Sequence, residues 1–561
     1  MNSLVAPPKF PGANADVPPE KGFPDWRALV AASGGAWASA VAKANGPKVL
    51  VASNTGMHGA VSTFDSVLTA SLALAGARVS RIFCDGVLQA CLIPTFGDAT
   101  PPEMLVKREL KSTLCKACFN RGTHTHRPLG LPEHRFSHWL EPKDYARAEQ
   151  LAASVPYTDI ASWEMDGLPV GEHAYAGALR YFAKGDLSGE PQGEAIARRY
   201  VEGAILTALV FDRLILAEKP DVAVLHHAIY SPQGVAAAVC RKHGVRVVSW
   251  VVAYRKSCFI FSHDDTYHHT LMTEDAGVWE NLSLAAEQRA ELTQYLASRA
   301  DGRMDWIYFH KEAGDDFEAY AARKGIDRSK PLISVLTNVM WDAQLHYPAN
   351  AFAGMKEWII ETVRLLKDRN DIEVAIRIHP AEARGAIKSR QRVADVLREA
   401  FPDWPRHIHL IEPEEDASTY DLAHNSNAVI IYGTKMGTEL TPLGKPVIVA
   451  GEAWIRNKGL TVDVQNPAHY ATLLAGLPLK PGEHAPDRDR ALRYAYHFFF
   501  RRMIPLPFLE PNGTGAMFGV GIPSIMDLSP GHWPGLDVMT GGILSGSPFV
   551  FHAERSVEGA A

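Results

Sequence analysis

"KVLVASNTGMHGAVSTFDSVLTASLALAGARVSRIFC", Lys48–Cys84, decides the fold. An apolar run of strand length, Lys48–Ser53, enters a turn that carries Gly56 and Gly59. Apolar residues then recur at helical spacing, and Arg78–Cys84 restarts a strand. Strand, glycine turn, helix and strand in that order make a βαβ unit of a parallel sheet.

Outward from this stretch the rhythm returns. Val222–Leu225, a helix from about Ser231 to Lys242, and Val245–Val252 repeat it. A charged helical stretch, Ala285–Ile326, precedes a second series. Its strands are "PLISVLTNV", "EVAIRIHP", "HIHLIEP", "AVIIYG" and "PVIVAG", each separated from the next by a helical pattern. Alternation this regular predicts an α/β protein with two Rossmann-like doubly wound domains facing a cleft. The expected divisions are a flexible leader at 1–25, an N-terminal acceptor domain at 26–284 with a Cys-rich insertion at 84–138, and a helical connector at 285–330. A nucleotide-sugar-binding domain follows at 331–490, and 491–561 is expected to pack back on the first domain.

Composition narrows the function. The 561 residues are 47% hydrophobic and 21% charged, as in a soluble globular protein. With 57 basic and 63 acidic residues the net charge is -6, so there is no overall electrostatic footprint for nucleic acid. The Pro- and Gly-bearing start lacks the apolar core of a signal peptide, and no run approaches the roughly 18 apolar residues of a membrane span. A cytoplasmic protein is expected, with membrane contact at most peripheral. "RYAYHFFFRRMIPLPF", Arg493–Phe508, mixes aromatic and basic residues and suits either a lipid surface or a packed helix.

In a parallel sheet ligands collect at the carboxyl ends of strands, and His379 of "RIHPAE" stands at such an end. Its imidazole suits donation to a phosphate oxygen, or merely to a nearby carbonyl. In "IIYGTKMGTELTPLGKPVIV", Gly433 and Thr434 form the turn after a buried strand, and Gly437, Thr438 and Glu439 occupy the first turns of the next helix. Amides and hydroxyls there suit an anion, and a carboxylate suits vicinal ribose hydroxyls. Asn338, Trp341 and Asp342 follow the first strand of the same domain, either lining the site or forming a capped turn.

"RIHPAE", "YGTKMGTELTPLGKPVIVAG" and "WIRNKGLTVD" together resemble the capsule polysaccharide biosynthesis family, which includes Kdo transferases. In that family a His-Pro pair, a Ser/Thr–Gly–Glu segment, "GKPV" and a "GLT" stretch form the nucleotide-sugar site of a GT-B glycosyltransferase. Here the middle segment reads Gly437, Thr438, Glu439. The resemblance implies a phosphate contact and leaving-group stabiliser at His379, hydroxyl donors at Thr434 and Thr438, and a ribose or base contact at Glu439. It implies transfer of a sugar from a nucleotide-activated donor to a surface polysaccharide or its lipid-linked precursor, by chemistry that needs no divalent metal. Polyglycerolphosphate polymerases share a similar layout, so a glycerophosphotransferase stays open beside a nucleotide-sugar epimerase. A non-catalytic polysaccharide-assembly scaffold is the alternative of another class.

The N-terminal domain is expected to supply the acceptor side. His58, in the first βα turn, and the pair His226 and His227 are candidates for a general base, because imidazole accepts a proton near neutrality. Arg255 suits an acidic acceptor. "FSHDDTYHH" has metal-like composition without ligand spacing, and reads as a polar loop. Cys84, Cys91, Cys115 and Cys118 form C-x6-C and C-x2-C pairs that suit a structural zinc, with an iron-sulfur cluster or ordinary reduced thiols as alternatives.

Overall fold

A computed structural model describes residues 21–88, 90–94, 100–300, 302–306, 317–343, 348–512 and 518–555. The leader expected at 1–25 therefore lies outside the described residues up to residue 20. The described chain divides into two α/β units. One draws on Met1–Phe182, Leu187–Tyr267 and Arg502–Phe551, the other on Ala183–Asp186, His268–Arg501 and His552–Ala561.

The first unit is built on a seven-stranded sheet. Its strands are β1 (Lys48–Asn54), β2 (Arg78–Phe83), β3 (Glu133–Arg135), β4 (Val222–His226), β5 (Arg246–Val252), β6 (Cys258–His263) and a short edge strand, Ile504–Pro505. The order across the sheet is the edge strand, β6, β5, β4, β1, β2, β3. β1 and β4 are buried almost throughout, which is why they read as unbroken apolar runs. β6 runs antiparallel to β5, and the edge strand antiparallel to β6, so the sheet is parallel only from β3 to β5. Helix α1 (Gly59–Leu74) follows β1 and is buried along nearly its whole length. Two further helices matter below, α2 (Leu114–His126) and the 26-residue α3 (Gly193–Glu218).

The second unit carries a six-stranded, wholly parallel sheet: β7 (Leu332–Leu336), β8 (Glu373–Arg377), β9 (Ile408–Ile411), β10 (Ala428–Ile431), β11 (Val447–Val449) and β12 (Val462–Asp463). Trp358, on the helix Met355–Leu366 that links β7 to β8, is fully buried and donates from Nε1 to Tyr470 Oη at 3.0 Å. The division between the units falls after Tyr267 and not near 284. Trp279 explains the difference: it is fully buried, with its ring 5.0 Å from that of Tyr494, and belongs to the second core. The stretch 285–306 and 317–330 likewise belongs to the second unit, and the chain rejoins the first unit from Arg502 and not from 491.

The aromatic-basic segment is interior. His497, Phe498 and Phe499 are fully buried, and Arg501 donates to the carbonyl of Val278 at 2.7 Å. Arg502 donates to the carbonyl of Phe261 at 2.9 Å. The stretch is packed, its helical part within the second unit up to Arg501 and not on the first. Among the described residues no helix is long and apolar enough to cross a membrane.

Candidate functional site

Doubly wound sheets bind ligands where the strand order reverses. In the second unit β8 and β9 extend to one side of β7, and β10, β11 and β12 to the other, so the reversal lies between β7 and β10. The carboxyl ends at this point carry Thr337 and Asn338 after β7, Gly433 and Thr434 after β10, and His379 after the neighbouring β8. Asn338 Oδ1 accepts the backbone N–H of Gly433 at 3.3 Å, joining the two loops across the reversal. The backbone N–H of His379 donates to Thr337 Oγ1 at 3.1 Å, and its ring Nδ1 accepts the N–H of Ala381 at 3.1 Å. A neutral imidazole whose Nδ1 accepts carries its proton on Nε2. His379 is thus a half-buried Nε2–H donor at the strand end. Thr434 accepts the N–H of Met436 at 3.4 Å, which leaves its hydroxyl proton to donate.

Other predicted donor residues take different places. Gly437 lies on a five-residue helix, α4 (Met436–Leu440). A methyl group there would stand 2.6 Å from Ile455 Cγ2 and 3.1 Å from Ile431 Cδ1, so the glycine serves helix-to-sheet packing. Thr438 is fully buried, and its hydroxyl meets no hydrogen-bond partner among the described residues. Glu439, expected against a ribose, is 2% exposed. Tyr420 Oη donates to its Oε2 at 2.5 Å, Arg299 lies 3.3 Å from Oε1, and Lys435 lies 3.5 Å from Oε1. Burial alone would raise its carboxyl, but Arg299 and Lys435 outweigh burial and hold it below the usual carboxylate range. Asp305 completes the cluster, paired with Arg299 and accepting Tyr295 Oη at 2.9 Å. Trp341 is buried and donates to Ser389 Oγ at 3.0 Å, the capped-turn arrangement, while Asp342 is exposed and its charge acts on His268.

Residues 289–478 match the family described as Capsule polysaccharide biosynthesis protein. The resemblance carried by the motifs of this capsule-synthesis segment is borne out, and the segment contains β7 to β12. No match was found among curated proteins. Similar solved structures include the KpsC beta Kdo 2,4 transferase of Thermosulfurimonas dismutans, at 12% identity and TM-score 0.34, covering 56% of this chain and 88% of that one. The UDP-GlcNAc 2-epimerase of Neisseria meningitidis bound to UDP-GlcNAc is 14% identical at TM-score 0.25, covering 52% of this chain and 80% of that one. The S. aureus MnaA–UDP structure is 13% identical at TM-score 0.26, covering 81% and 96%.

In the first unit the order reverses between β1 and β4. His58 stands just before α1 in the turn after β1, and His226 and His227 end β4 and its turn. The rings of His58 and His226 are 5.5 Å apart, and those of His226 and His227 are 4.2 Å apart. The three histidines, predicted from separate stretches, therefore converge. Burial, helped by the Arg180 guanidinium, brings His58 down to about 4, and burial with the neighbouring histidines holds His226 well below the ordinary range. This corrects the expectation of a base poised near neutrality: at pH 7 His58 is a neutral acceptor of weak basicity. Arg255 is half-buried in the turn between β5 and the antiparallel β6.

Sequence reading missed four charged residues. Lys435 stood inside the quoted motif, four residues before Glu439, a spacing that signals an ion pair on a helix. It is mostly buried, and burial lowers its ammonium to about 8, so it stays largely protonated at pH 7. Asp65, buried on α1, accepts Trp250 Nε1–H at 3.1 Å, and burial pushes its carboxyl up to about 7. Its only mark was a carboxylate on an otherwise apolar helix. Arg180 lies far along the chain from His58, and Arg299 far from Glu439, so neither contact carried a local mark.

Cys84 follows β2, Cys91 lies in the succeeding loop, and Cys115 and Cys118 lie near the start of α2. All six cysteines are thiols and none is in a disulfide. Among the described residues no group of three or more His, Cys, Asp or Glu is arranged to hold a metal ion.

Proposed function

We propose that this protein is a glycosyltransferase that uses a nucleotide-activated sugar to build a surface polysaccharide or its lipid-linked precursor. The observation that carries the reading is the set of donors at the β7–β10 reversal. His379 Nε2–H, the Thr434 hydroxyl and the Lys435 ammonium belong to one strand-end neighbourhood of the segment that matches the capsule family.

The chemistry follows from charge. As the bond from sugar to phosphate breaks, negative charge grows on the departing phosphate oxygens. Hydrogen-bond donors and a cation fixed beforehand gain strength at that moment, which lowers the barrier. Lys435, depressed by burial, would regain full protonation beside a phosphate dianion, so substrate binding and its charge reinforce each other. These groups supply the stabilisation that a divalent metal would otherwise supply. Glu439 acts as a positioning residue that balances Arg299 and Lys435. The first unit's reversal point, with His58, His226 and His227, takes the acceptor, and Arg255 supplies a cation for an acidic one. There a neutral His58 orients the attacking hydroxyl by accepting its proton in a hydrogen bond.

Incubation with CMP-, UDP-, GDP- and CDP-activated donors and polysaccharide acceptors, followed by mass analysis, tests this. The expected product is an acceptor heavier by one sugar, together with released nucleotide. A product carrying glycerol phosphate, or a donor converted only to its epimer, would overturn the reading.

A further inference from the structure

Cys84, Cys91, Cys115 and Cys118 come from three places in the chain and line one cavity, together with Leu88 and Ile93. Its atom-free space, including the mouth to solvent, is about 430 Å³. We infer that this cavity is the seat of an iron-sulfur cluster held by these four thiolates at the carboxyl ends of β1 and β2.

Three observations support this choice. A single zinc would draw its four sulfurs to about 3.8 Å from one another, and no such grouping exists among the described residues. The four cysteines instead line a cavity, as a cluster of several irons and bridging sulfides requires. Next, the backbone N–H of Met57 donates to Cys118 Sγ, with N to Sγ at 3.3 Å. A donor of this kind tunes a cluster's potential. Finally, Cys115 and Cys118 lie near the N-terminus of the 13-residue α2, where the helix dipole favours an anionic assembly. Gly56 is forced by the same architecture, because a methyl group there would stand 2.1 Å from the carbonyl oxygen of Cys118.

Iron and inorganic sulfide, from the cell's assembly supply or from reconstitution, would fill the cavity. Each thiol loses its proton to solvent as its sulfur binds iron, with no change in protein oxidation state. The cluster would fix the loop after β2 and the first turn of α2 against the Asn54–His58 turn. The site thus places the acceptor-side histidine on a metal-stapled frame.

The test is anaerobic purification of the full chain, with iron, zinc and acid-labile sulfide measured per protein alongside the visible spectrum. The expected result is two or four irons with an equal amount of sulfide, a broad visible absorption bleached by dithionite, and loss of both in Cys115→Ser and Cys118→Ser. Cys240→Ser, which removes a buried thiol elsewhere in the first unit, should retain the cluster. One zinc per chain without sulfide would overturn the inference. So would a chain that stays free of iron after anaerobic reconstitution, or iron retained in full by both cavity variants. None of these readouts depends on transferase activity.

Discussion

Asn338 Oδ1 accepts the backbone N–H of Gly433, and this one bond of 3.3 Å joins the loop after β7 to the loop after β10 where the sheet reverses. The two loops are 95 residues apart in the chain. Asn338→Ala should cost about 1 kcal/mol of stability, the usual worth of such a bond. The larger effect should fall on nucleotide affinity, because the turn holding Thr434 loses its tether. Titration calorimetry beside thermal melting separates the two, and equal affinity in the variant would remove the tether from the site.

Gly437 is governed by packing. Gly437→Ala places a methyl 2.6 Å from Ile455 Cγ2, an overpacking that typically costs 1–3 kcal/mol. Denaturant unfolding should show the loss. A variant as stable as the parent would mean that the helix moves freely on the sheet.

Glu439 separates two accounts. A ribose contact predicts weaker donor binding in a fully stable Glu439→Ala protein. The buried pairing with Arg299 and Lys435 predicts instead a destabilisation on the order of 3–5 kcal/mol, because both cations lose their counter-charge. Glu439→Gln should be destabilised in the same sense. Chemical denaturation decides: unchanged stability with a raised Michaelis constant would restore the ribose contact.

Asp65 and His58 give opposite pH signatures. Asp65 is raised from 3.8 to about 7, so its contribution to stability is complete below pH 3.8 and is lost as pH rises through 7. Asp65→Asn keeps a carbonyl for Trp250 and should flatten that loss, gaining on the order of 1 kcal/mol or more over the parent at pH 8. His58 is lowered from 6.5 to about 4, so its contribution is complete above pH 6.5 and is lost as pH falls toward 4. An NMR titration should show the His58 ring neutral at pH 6. A ring that protonates near 6.5 would mean that it is solvated.

Parallel strands buried on both faces read as apolar runs, so β1, β4, β5 and β7 to β11 were legible along the chain, whereas the two-residue, half-buried β12 was not. β6 was not, because a buried antiparallel strand such as Cys258–His263 has the same apolar look, and direction is set by pairing with β5. The strand-end residues His379, Thr434 and Asn338 were legible because a doubly wound sheet fixes where ligands gather. The burial of Glu439 was not, since Arg299 reaches it from another helix and a carboxylate beside glycine looks the same whether it faces solvent or a buried cation.

The most direct test of the account is calorimetric titration of nucleoside mono- and diphosphates into the parent protein and His379→Ala, with circular dichroism confirming the fold of each. Loss of the Nε2–H donor to a phosphate predicts that one nucleotide class binds the parent and binds the variant at least about 10-fold more weakly, the effect of a charge-assisted hydrogen bond. Equal affinity in parent and variant, or a variant that binds normally but unfolds at lower temperature, would contradict the donor site at the β7–β10 reversal and leave His379 a packing residue.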